Sequence, residues 1–163
     1  MIQTFEMMIE NSRVSEIVQS WISQRSDFFI VGITIRPLNA IVVEIDNFSG
    51  VTIEDCVSLH EAIEKQLDRD IEDYELEVGS AGLGQPFKVY QQYQKHVGDE
   101  VEVLTSSGIK VTGFLLSADD SCFILKVKRK VKVEGSKRAV EREEDVRYGY
   151  DEIKYTKYLI RFK

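Results

Sequence analysis

Apolar residues Val14, Ile17, Val18, Trp21 and Ile22 recur at i, i+3, i+4, i+7 and i+8. That spacing lays one apolar stripe along a helix and predicts an amphipathic element with Ser12 as its N-cap. The next two runs, Phe28 to Ile35 and Ala40 to Ile45, are rich in β-branched residues and are joined by Arg36-Pro37-Leu38-Asn39, so they read as a hairpin. A loop, Asn47-Phe48-Ser49-Gly50, follows. Thr52 with Asp55 has the form of a capping box, and Cys56, Leu59, Ile63 and Leu67 keep helical spacing behind it. Tyr74 to Val78 alternates apolar and acidic side chains, as a strand with one wet face does. The order αββαβ predicts a two-layer α+β domain with both helices on one face of a small sheet.

The pattern breaks at Val78-Gly79-Ser80-Ala81-Gly82-Leu83-Gly84-Gln85-Pro86-Phe87. Gly79, Gly82, Gly84 and Pro86 mark this stretch as a seam between domains 1–86 and 87–163, with glycine, Gly82 in particular, supplying unusual backbone angles. Beyond it, Asp99 to Leu104, Ile109 to Leu116, Cys122 to Val127 and Tyr158 to Phe162 read as short strands. Ser106-Ser107-Gly108 and Asp119-Asp120-Ser121 make the turns, Gly113 permits a bend, and Tyr150 to Lys154 has the look of a short helical turn. These elements predict a small five-stranded SH3/Sm-like β-barrel, whose closure would remove exposed strand edges.

Charge divides at the same seam. Residues 1–86 hold 16 acidic side chains against 5 basic ones, a net of −11, whereas 87–163 hold 12 acidic and 16 basic, a net of +4. Two halves of opposite sign imply partners of opposite sign. The densest basic run contains Lys126, Lys128, Arg129, Lys130, Lys132, Lys137 and Arg138 against Glu134 alone, a local net of +6. With Val127, Val131 and Val133 interleaved and Gly135-Ser136 as a turn, it predicts a basic strand pair extending the barrel over 126–147. Phosphate is its natural counter-charge, and a merely solubilising hairpin is the competing reading. Glu141, Glu143, Glu144 and Asp145 follow at once and can neutralise the arm when no partner is present. In the front half Asp68, Asp70, Glu72 and Asp73 form the densest negative run, a solvated helix exit or a contact for a basic protein.

Catalytic and metal chemistry find little support. Cys56 and Cys122 lie on opposite sides of the seam, so they read as reduced core thiols, no metal site is expected, and the setting is cytosolic. His60 and His96 read as solvated or locally bonded imidazoles, and Trp21 reads as core. No nucleophile, base and orienting partner recur, which argues against an enzyme. The glycine-rich seam matches GxxG superficially, but it leaves a strand, carries no basic residue and lacks the lysine of a phosphate loop, so no cofactor is expected. The first twelve residues, interrupted by Glu6 and Glu10, form neither a signal peptide nor a membrane span.

The order Ile45-Asp46, Gly50 to Cys56, Tyr74 to Phe87 and Val97-Gly98 closely resembles the RimP ribosome maturation factors. That family commonly reads V-S-S-P-G-L-x-R-P-L at the seam; here Gly79, Ala81 and Gln85 stand in place of serine, proline and arginine. The resemblance implies an α/β N-terminal domain, an SH3-like C-terminal barrel and a non-enzymatic role in assembling the small ribosomal subunit of the bacterial cytoplasm. The partners it implies are the immature subunit and a basic ribosomal protein; the basic arm adds rRNA as an expected partner, and a monomer is expected. An Sm-type RNA-binding regulator acting as an oligomer is the alternative, and native mass separates the two.

Overall fold

The computed structural model describes residues 9–132, 134–135 and 139–160. The chain divides into two compact units, residues 1–81 and 82–163. Residues 82–86 carry no charge, so the division leaves the −11 and +4 balance unaltered.

The first unit runs α1 (Asn11–Ser23), β1 (Phe28–Arg36), β2 (Ala40–Asn47), α2 (Ile53–Gln66) and β3 (Glu75–Ser80), the predicted αββαβ order. Val14, Ile17, Val18 and Trp21 of α1 and Leu59 and Ile63 of α2 share one buried cluster with Ile41, Val43 and Ile45 of β2. The helical stripes and one side of the sheet are therefore two halves of one core. Strand order is β1-β2-β3: β1 and β2 pair antiparallel, with a register shift between Ile30 and Gly32, and β2 and β3 pair parallel across the α2 crossover. The connection 37–39 closes with Leu38 and Asn39 at φ of 67° and 53°. Asn39 fits this left-handed geometry readily; Leu38, 94% exposed, has no packing that compels it.

The caps differ. Thr52 accepts from the Asp55 amide at 3.1 Å while the Asp55 carboxylate accepts from the Thr52 amide at 2.9 Å, the reciprocal box its sequence predicts. At α1 the expectation of Ser12 fails: Glu10 occupies the N-cap without a side-chain cap bond, and Ser12 lies inside the helix. The Ser12 hydroxyl donates to Glu10 Oε2 at 3.4 Å instead.

The second unit opens with a helix the apolar pattern did not announce, α3 (Tyr90–Lys95). Then come β4 (Glu100–Thr105), β5 (Lys110–Ala118), β6 (Cys122–Lys132), β7 (Ala139–Gly149), a 3-10 turn (Tyr150–Glu152) and β8 (Ile153–Tyr158). Among the described residues the last strand thus reaches only Tyr158, the first residue of the predicted Tyr158–Phe162 run, whose Arg161 and Phe162 lie outside them. Its position is held by pairing to β4, Val101 opposite Tyr158 and Val103 opposite Thr156. Thr156 is fully buried and accepts from the Tyr93 hydroxyl at 2.8 Å, which ties α3 to β8.

The five strands order as β7-β6-β5-β4-β8. Among the described residues β7 and β8 do not pair, so the sheet stays open where a closed barrel was expected. The core holds Tyr93, Val101, Val103, Leu115, Phe123, Leu125 and Val127. Beyond Val127 β6 and β7 continue as a two-stranded ribbon past the end of that core and, among the described residues, pair only with each other.

Candidate nucleic-acid interface

The β6–β7 hairpin places the basic run. Its register sets Lys126 opposite Asp145, Lys128 opposite Glu143, Arg129 opposite Arg142 and Lys130 opposite Glu141. Directly opposed residues share a face, and faces alternate along each strand. Lys126, Lys128 and Lys130 therefore line one face with Glu141, Glu143 and Asp145. Diagonal ion pairs knit this ladder together: Lys126 Nζ to Glu143 Oε2 at 3.6 Å, and Lys128 Nζ to Glu141 Oε1 at 3.8 Å. The other face continues from buried Leu125 and Val127 to Arg129, with Glu144 and Arg142 across from them. Arg129 Nη1 meets Glu144 Oε2 at 3.5 Å. All three pairs are about half exposed; such pairs contribute about 0–1 kcal/mol each, so a stronger anion can displace them.

Lys132 lies on β6 with its backbone opposite Ala139. Lys137 and Arg138 fall outside the described residues. Arg142, buried in the sequence among Glu141, Glu143, Glu144 and Asp145, was missed because the eye reads that stretch as acidic. Folding the run about Gly135, which adopts φ of 85°, would have found it.

The acidic run sits in the loop between α2 and β3, and much of it is internally engaged. Asp68 Oδ1 accepts from the Asp70 amide at 2.8 Å, and Asp73 Oδ1 accepts from the Tyr74 amide at 2.9 Å. Arg69 pairs with Asp73 at 3.4 Å and Glu64 at 3.6 Å, donates to the Tyr74 carbonyl at 2.6 Å, and lies over the Tyr74 ring. Glu72 Oε1 accepts from Asn39 Nδ2 at 3.0 Å. Asp68 and Asp70, both exposed, are the carboxylates whose replacement disturbs this scaffold least.

At the seam the left-handed backbone is at Gly84, φ 80°, not at Gly82. Gly79 lies within β3 with nothing within 4 Å of where a Cβ would stand, and the nearest atom to a Cβ on Gly82 is the flexible Gln85 Cγ at 3.3 Å. Only Gly84 needs its lack of a side chain for conformation.

The remaining candidates are structural in their surroundings. His60 Nδ1 meets Glu64 Oε1 at 2.8 Å. His96 is stacked between the rings of Phe87 and Tyr158, at 5.1 and 4.7 Å, with Nδ1 2.9 Å from Asp99 Oδ2. Trp21 is buried, donates to Ser58 Oγ at 3.1 Å and carries the Arg25 guanidinium on its ring. The Cys56 thiol is pushed up by burial and by Asp55 beside it. Among the described residues no three His, Cys, Asp or Glu side chains converge to hold a metal ion. Among them, too, no helix is long and apolar enough to cross a membrane.

Residues 17–84 match a protein family described as the RimP N-terminal domain. A protein of Porphyromonas gingivalis strain W83 named ribosome maturation factor RimP is 45% identical over 131 residues, 80% of this chain and 86% of its own. A protein of the same name from Christiangramia forsetii is 31% identical over 150 residues, 92% of this chain and 97% of its own.

Proposed function

The chain belongs to the RimP family of ribosome maturation factors, and we propose that it acts as a non-enzymatic assembly factor of the small ribosomal subunit in the bacterial cytoplasm. The observation that carries this reading is the charge division, −11 in the first unit and +4 in the second. An acidic unit repels RNA and attracts an arginine- and lysine-rich ribosomal protein; a basic hairpin attracts rRNA. Asp68 and Asp70 are the carboxylates offered to the protein, and the hairpin from Lys126 onward is offered to RNA. We read the second unit as SH3-like, because β8 returns beside β4 after a single 3-10 turn. Two weak contacts on one chain raise each other's effective concentration, so a monomer prefers a particle that presents both and leaves one that no longer does.

Sedimentation of the tagged protein with small-subunit precursors, mature subunits and whole ribosomes tests this. Enrichment on precursors is expected, and depletion of the protein should accumulate them on gradients at the expense of translating ribosomes. Asp68→Asn/Asp70→Asn should weaken capture of an isolated basic ribosomal protein while leaving RNA binding intact. Equal affinity for mature and immature particles with normal gradients would refute the assembly role. A ring-sized native mass would then favour an Sm-type RNA regulator.

A further inference from the structure

The hairpin's two faces are unequal. On the ladder face Lys126, Lys128 and Lys130 stand among Glu141, Glu143 and Asp145, whose charges balance theirs, and Lys132 takes the next position of that register, opposite Ala139. On the other face Arg129 stands directly opposite Arg142, with Glu144 as the one acid beside them. Like charges directly opposed across a strand pair destabilise it. Arg142 is exposed and makes no ion pair among the described residues, so this repulsion is not relieved on its side. The exposed Val140 follows one step further out on the same face.

We propose that Arg129 and Arg142 form a phosphate clamp: a phosphodiester of single-stranded RNA lies between the two guanidinium groups, and the paired lysines Lys126 and Lys128 contribute little to binding. This rests on the RNA-binding reading of the hairpin and specifies its contact. An arginine fork matches two phosphate oxygens at once, which a lysine ammonium does not, and two forks can converge on one phosphate. The bound phosphate replaces Glu144 as the partner of Arg129 and gives Arg142 an ionic partner that it lacks among the described residues. Lys126 and Lys128, by contrast, must surrender carboxylates to take up RNA. Their acids are not released by the same event, because they lie on the other side of the ribbon.

The full-length protein and two charge-matched double variants, Arg129→Gln/Arg142→Gln and Lys126→Gln/Lys128→Gln, would be titrated against a fluorescein-labelled mixed-sequence single-stranded RNA over a potassium chloride series. The parent should bind. The arginine variant should lower the slope of log affinity against log salt by roughly 0.7, one single-strand phosphate contact, and the lysine variant by less than half as much. Arg142→Lys, which keeps the charge and removes the fork, should fall between parent and Arg142→Gln. Thermal unfolding without RNA should show the arginine variant no less stable than the parent, which excludes misfolding as the cause. Equal losses in the two double variants, or a larger loss in the lysine variant, would overturn the clamp while leaving RNA binding by the hairpin in place. Unchanged binding in both variants, or no binding by the parent, would overturn the clamp and the hairpin reading together.

Discussion

Gly113 of β5 lies so close to Lys126 of β6 that a Cβ on the glycine would stand 2.7 Å from the lysine's carbonyl oxygen. The obstructing atom is backbone in a paired strand, so no rotamer change relieves it. The contact fixes the spacing of β5 and β6 at the first residue of the basic run, where β6 begins to leave the core.

Gly113→Ala should therefore destabilise the protein by about 1–3 kcal/mol, the usual range for overpacking a closed interior. Urea unfolding of the full chain reads this. A change within experimental error would mean that the two strands can part locally without cost.

The two N-caps predict opposite outcomes for similar substitutions. Thr52→Ala removes one half of a reciprocal box and should cost about 1 kcal/mol. Ser12→Ala removes a hydroxyl from inside α1 and should change stability little. Comparable losses at both positions in chemical denaturation would show that Ser12 does cap its helix.

Gly84→Ala should cost about 1–2 kcal/mol, the penalty for placing a Cβ in the left-handed region. Gly82→Ala, at ordinary backbone angles beside a movable Gln85 side chain, should be nearly neutral. Reversal of that order in thermal unfolding would put the conformational demand of the seam back on Gly82.

The Asp119 carboxylate accepts from the amides of Ser121 and Cys122 and from the Ser121 hydroxyl, and these bonds hold its pKa down to about 2 from an ordinary 3.8. A depressed folded value means that ionisation favours the fold above the ordinary value, and that this contribution fades as pH falls from about 4 to about 2. Asp119→Asn should lower the unfolding midpoint at neutral pH, with the gap from the parent closing across that acid range. A gap independent of pH would assign the loss to shape instead of charge.

Separate chains 1–81 and 82–163 should each unfold cooperatively, because each has its own buried cluster. Loss of a cooperative transition in either fragment would make the chain one folding unit.

What was legible in the sequence follows from how each element is held. α1, β1, β2 and α2 bury long regular faces, and a face of Val14, Ile17, Val18 and Trp21 writes its period into the chain. α3 does not: six residues bury only Gln92 and Tyr93. Its start is fixed from within by Gln92 Oε1, which accepts from the amides of Lys88 and Val89 at 2.5 and 3.1 Å, a cap without the usual serine or threonine signature. The position of β8 was hidden because its tightest residue is the polar Thr156, while the more apolar residues after Tyr158 drew the expectation outward. At the candidate site the basic run could be read directly, but its pairing could not. That Lys126 meets Glu143 and Arg129 faces Arg142 is a property of register, and register here depends on the turn around Gly135.

β7 ends its sheet and runs for 11 residues, so one row of its amides and carbonyls faces outward along a length that could template a second copy of the chain. Glu141, Glu143, Glu144 and Asp145 occupy the middle of that edge. Two such strands meeting head to tail would bring carboxylate against carboxylate, and the repulsion would part them before a ladder formed. The acids that balance the lysines thus also act as gatekeepers against fibre-like stacking.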